Sequence, residues 1–167
     1  MQQLMERFCD TLESEREVHR ELLEFSERKR TAITSNDVPT LDKIVKNEEV
    51  LLSRLNHLEK KRMDCVRDLA THEGRPAREI ILQDFLELCD ETQRNRLHEL
   101  HLDLKSLLER QIAINETNKR LVESRLEYIR FSLETATGEG QSAYQTYEGG
   151  HERAASTRKT SFIDQLV

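Results

Sequence analysis

His98 and His101 stand three residues apart with Glu99 between them, half of what a metal site would need. A zincin motif places its histidines at i and i+4 of one helix. A ferritin-like di-iron site repeats Glu-x-x-His on several inward faces, and position 98 is His where that motif has Glu. The one Glu-x-x-His in the chain, Glu148 to His151, straddles Gly149 and Gly150. At about 100° per residue, His98 projects off the apolar side of its segment, so the pair reads as solvated. No metal or other cofactor is expected. No Ser or Cys lies in a Gly-flanked turn and no G-x-S-x-G occurs, so a nucleophile elbow is missing. With 32 Asp and Glu, close carboxylate pairs are inevitable and carry no information about acid–base catalysis. An enzyme is therefore not expected. Cys9, Cys65 and Cys89 are odd in number, widely spaced and without CxxC, and read as reduced thiols filling a core.

The composition explains why the chemistry is sparse. Charged residues make up 35% of the 167 residues, with only 5 Gly, 2 Pro and no Trp. Long solvated helices have this composition, whereas sheets need aromatics, β-branched runs and many turns. The net charge of −6 and the interleaving of basic clusters (Arg28, Lys29, Arg30 and Lys60, Lys61, Arg62) with acids argue against nucleic-acid binding. No apolar run approaches the roughly 20 residues of a membrane span, so no membrane insertion is expected. The segment MQQLMERF lacks a signal peptide's apolar stretch, and the expected location is cytoplasmic.

Prolines and glycines divide the chain. Ser35, Asn36 and Asp37 before Pro39 can cap a helix, Gly74 and Pro76 break the pattern again, and the other four glycines lie beyond residue 137. The spacing predicts helices over about 2–34 and 38–72, a short helix near 77–89, and a long helix ending near 137. The apolar stripes are Leu4, Phe8, Val18, Leu22, Phe25, Ala32 and Ile33; then Leu41, Ile44, Val45, Leu52, Leu55, Leu58, Val66 and Leu69; then Leu97, Leu100, Leu104, Leu108, Val122, Leu126, Ile129 and Leu133. Each segment is one-sided and needs partners. The expected fold is all-α: an elongated antiparallel bundle of three long helices plus one short helix over 1–137, monomeric when free, with a flexible tail over 138–167. Ile80, Ile81, Phe85 and Leu88 would cap one end.

Polar residues interrupt the stripes. Glu15 and Lys29 fall in the first, Glu48, Glu59 and Arg62 in or beside the second, and Gln111, Asn115 and Asn118 on successive turns of the third. They read as polar layers that fix helix register, as stripe edges that are simply wet, or as a binding groove. In the tail, Tyr144 and Tyr147 sit in a Gly/Ser/Gln-rich stretch. Phe162, Ile163, Leu166 and Val167 fall at i, i+1, i+4 and i+5, one apolar face of a short helix. That end either folds back onto the bundle or folds on a partner. In the second case these six residues are the client-binding candidates.

The run LDKIVKNEEVLLSRLNHLEKKR (41–62) resembles the bacterial flagellar export chaperone family FlgN, whose Glu-rich, Leu-spaced helix ends in Leu-Glu-x-x-Arg, here Leu58, Glu59 and Arg62. INETNKRLVESRLEYI (114–129) is similar to the family's second hallmark through Asn115, Asn118, Leu121, Ser124, Leu126, Tyr128 and Ile129. Arg125, between Ser124 and Leu126, departs from it. The closing Ile163–Val167 is also similar to the family's ending. The resemblance implies a cytosolic chaperone that binds terminal segments of the flagellar hook-associated (hook–filament junction) proteins, prevents their premature assembly and delivers them to the flagellar export apparatus. The residues alone also fit a tethering coiled-coil protein that dimerises along its stripes.

Overall fold

The computed structural model describes residues 1–137. Four helices follow one another: α1 (Gln2–Ser35), α2 (Val38–Glu73), α3 (Leu82–Leu88) and α4 (Glu91–Thr137), with a 3-10 turn at Ala77–Glu79. Among the described residues there is no strand.

The breaks follow from local chemistry. Asn36 closes α1 in the left-handed conformation at φ 58°, and Asp37 opens α2 by accepting the Thr40 backbone N–H at 3.1 Å. Gly74 ends α2 at φ 64°, where a Cβ would be strained. Asp90 and Gln93 form a reciprocal capping pair at the start of α4. The single short helix expected near 77–89 divides in two because Ile80 and Ile81 are extended. Extension sends consecutive side chains to opposite sides, so Ile80 is buried while Ile81 stays exposed.

α1 is the central helix. Its extensive contacts are with α2 and with α4. Ion pairs from Arg7 to Asp68, Glu15 to Arg62, Glu21 to Arg54 and Lys29 to Glu48 run in opposite numerical order along α1 and α2, so these two are antiparallel. Contacts from Asp10 to Arg96, Arg16 to Asp103, His19 to Gln111 and Thr34 to Arg125 rise together, so α1 and α4 are parallel.

The facing positions step by three and four along all three helices. They are Met5, Phe8, Leu12, Glu15, His19, Leu22, Ser26, Lys29 and Ile33 on α1; Leu41, Ile44, Glu48, Leu51, Leu55, Leu58, Arg62, Cys65 and Leu69 on α2; and Leu97, Leu100, Leu104, Leu107, Gln111, Ile114, Asn118, Leu121 and Arg125 on α4. This is the heptad seam of left-handed helix packing. At one end all helices share one core, with Phe8 stacked on Phe85 at 3.8 Å between centroids and Met5, Leu69, Ile80 and Leu97 around them. Further along, that core divides into an α1–α2 seam (Val18, Leu22, Leu51, Leu58) and a separate α1–α4 seam (Leu23, Leu107, Ile114).

The three stripes do not fully cover one another. Val45 and Leu52 of α2, and Val122, Leu126, Ile129 and Leu133 of α4, are 38–58% exposed. Both outer helices lean on α1, and α4 is 47 residues against 34 for α1. Beyond Arg125, α4 runs on for about 18 Å at 1.5 Å per residue.

Candidate functional site

Where the core divides, α2 and α4 leave a cleft of about 560 Å³ over α1. Leu22 and Ile33 line it from α1, Leu52 from α2 and Val122 from α4, with Ser26, Lys29, Glu48, Gln111, Asn115, Asn118, Lys119 and Glu123 among them. The apolar surface does not stop at the cleft. From Asn118 the facing seam continues to Leu121 and Arg125, but Val122, Leu126 and Ile129 form a second row one residue later. That one-residue offset turns the row by about 100° away from the seam. Leu126 and Ile129 are 48% and 45% exposed. From Gln111 to Ile129 the cleft and row together span about 27 Å of α4, the length of an 18-residue helix.

The polar positions singled out by their interruption of the stripes are brought together in cross-helix pairs. Glu15 accepts from Arg62 at 3.0 Å, both 3% exposed at the side chain. Burial pushes the Glu15 carboxyl up and Arg62 pulls against it, while nearby Glu59 adds to the rise. Lys29 pairs with Glu48 at the cleft. Gln111 Oε1 lies 3.1 Å from His19 Nδ1, the Ser26 hydroxyl donates to Asn115 Oδ1 at 3.1 Å, and Asn118 Nδ2 donates to the Ser26 carbonyl at 2.8 Å. Burial lowers the His19 pKa against the opposing pull of the Gln111 bond. Thus Gln111, Asn115 and Asn118 work along the α1–α4 seam and Arg62 along the α1–α2 seam, not as one layer; Glu59 is half-buried beside Glu15.

His19 and Ser26 escaped a reading based on apolar stripes. The signal was present, because both sit at three-and-four spacing between Glu15, Leu22, Lys29 and Ile33. Arg125, a departure in the second hallmark, donates to the Thr34 carbonyl at 2.6 Å and makes the last of the α1–α4 hydrogen bonds. Tyr144, Tyr147, Phe162, Ile163, Leu166 and Val167 lie outside the described residues.

His98 is exposed and His101 half-buried, and among the described residues no three His, Cys, Asp or Glu side chains converge for a metal. Cys9, Cys65 and Cys89 are buried free thiols of the shared core, and burial pushes Cys9 up to about 11. No helix among the described residues is long and apolar enough to cross a membrane. The cleft offers apolar walls, an ion pair and amides, which suit an amphipathic helix.

No curated protein and no solved structure matches the chain. A family model described as FlgN protein matches residues 1–152 of the 167. The chain therefore belongs to the FlgN family of flagellar export chaperones.

Proposed function

We propose that the chain holds a terminal helical segment of a hook-associated, hook–filament junction protein in the cytoplasm, keeps it from assembling early, and hands it to the flagellar export apparatus. The observation that carries the reading is the row Val122, Leu126 and Ile129, which extends the α2–α4 cleft and has no cover among the described residues. An amphipathic client segment laid there completes a four-helix arrangement with α1, α2 and α4. Apolar segments of this kind associate prematurely unless another apolar face covers them. The chaperone acts as a monomer, because its heptad seams are used within the chain. The polar rungs at Gln111, Asn115 and Asn118 set the register of α4 on α1, and so the shape of the cleft.

The test is calorimetric titration of a synthetic junction-protein terminal peptide into the full chain and into a Leu126→Asp, Ile129→Asp double variant. Both positions are exposed, so melting should hold while affinity falls at least tenfold, about 1.4 kcal/mol. Unchanged affinity would place capture elsewhere.

A further inference from the structure

The cleft raises the question of what covers it before a client arrives. Resting on the capture reading above, we propose that the occupant is the chain's own segment 160–167, seated in the α2–α4 cleft as a stand-in for the client helix. Three observations converge. The first is chemical likeness. Phe162, Ile163, Leu166 and Val167 have the i, i+1, i+4, i+5 spacing that would put them on one face of a helix, and the cleft presents Ile33, Leu52 and Val122. The second is charge. Arg158 and Lys159 precede the segment and Asp164 lies within it, while the cleft carries Glu123 and Lys119 on adjacent turns of α4.

The third is reach. From Thr137 back to Asn118 is 19 residues of α4, about 28 Å. An unconstrained Gly-rich chain of 24 residues, the number from 138 to 161, has a root-mean-square span of about 27 Å. A tether whose span matches the distance gives the highest effective concentration. A second copy of the chain has no such advantage at low concentration.

Occupancy by the chain's own segment makes release and capture competitive. A client sees only the fraction of chaperone whose cleft is open, so its apparent affinity falls by that fraction. The segment would also displace a bound client at the export gate without any nucleotide or metal. It thereby acts as a regulator of the site rather than as an additional capture arm.

The test uses the full chain in two arms. In the first, a photoreactive benzoylphenylalanine replaces Phe162, and the illuminated product is sized and mapped by mass spectrometry. Photoproducts at monomer mass, joined to peptides containing Leu52 or Val122, are expected. No photoproduct, products elsewhere on the bundle, or products only at dimer mass overturn the proposal. In the second arm, the junction-protein peptide is titrated into wild type and an Ile163→Asp, Leu166→Asp variant. The variant should bind at least threefold more tightly. Equal or weaker binding by the variant overturns competition by the segment while leaving capture intact. Photoproducts in the cleft with no peptide binding to either form would instead overturn the capture reading and keep the segment in the cleft.

Discussion

The two ends of this bundle share one heptad register and differ in what fills it. At the Phe8–Phe85 end, Met5, Phe8 and Leu12 of α1 meet apolar partners from α2, α3 and α4 in one shared buried core. At the other end the same seam is occupied by His19, Ser26 and Lys29, each engaged with a polar partner, and the apolar contacts split in two. Buried apolar contact is concentrated where four helices converge. Accessible apolar surface is concentrated where only pairs of helices meet. Under the proposed capture role, that separation would let the surface of the open end change without unfolding the scaffold.

The largest expected effect comes from attacking the closed end. Phe85 is fully buried, and Phe85→Ala should cost about 3–5 kcal/mol. In a chain of this size that lowers Tm by roughly 6–20 °C. Leu52→Ala at the open end should stay within about 0.5 kcal/mol, since the side chain is already half in water. Equal losses from the two substitutions, measured by thermal circular dichroism, would erase the distinction between the ends.

A middle-sized effect is expected on the polar seam. Asn118 gives one hydrogen bond to the Ser26 carbonyl, and its buried Oδ1 has no hydrogen-bond partner among the described residues. Asn118→Leu loses the first, worth about 1 kcal/mol, and removes the cost of the second. Urea unfolding should therefore register a net change within about 1 kcal/mol. A loss near 3 kcal/mol would show that the open end depends on its amides as heavily as the closed end depends on its aromatics.

The smallest effect is one of pH. Burial holds His19 below its ordinary value, so the unfolded chain takes up a proton first as pH falls. Stability from this group is complete above the unfolded value of about 6.5 and is lost as pH drops from there toward the folded value. Burial raises Glu15 instead, which acts in the opposite sense at lower pH. Comparing wild type with His19→Gln at each pH cancels the Glu15 contribution. Between pH 7.5 and 5.5, wild type should lose a few degrees more of Tm than the variant. Parallel curves would mean that His19 is not withheld from solvent.

Much of the scaffold was legible in residues. Asp37, Pro39 and Gly74 mark breaks that the structure places within a residue or two, because caps and left-handed positions are local demands. The polar interruptions Glu15, Lys29, Glu48, Arg62, Gln111, Asn115 and Asn118 were visible as interruptions. Their pairing was not, since a residue's place in a stripe names its face and leaves its partner open. His19 and Ser26 stayed hidden while only apolar types were counted. The cleft was one of three readings of those polar positions, and its lining residues Leu52 and Val122 looked like ordinary core.

By itself, the sequence determined that the chain is helical, where its first two long helices begin and end, that each long helix is one-sided, and which family it resembles. Periodicity and capping act over a few residues, so they survive without knowledge of the fold. Only the tertiary structure decided that α1 lies between the other two long helices and that α4 runs parallel to it and outreaches it. It also decided that Leu126 and Ile129 remain outside. Those outcomes depend on how the turn at Gly74, the extended Ile80–Ile81 pair and α3 set the starting point of α4, and on the sum of contacts along two seams. A one-sided helix requires a cover, and its sequence does not specify which surface supplies it or how far along that surface ends.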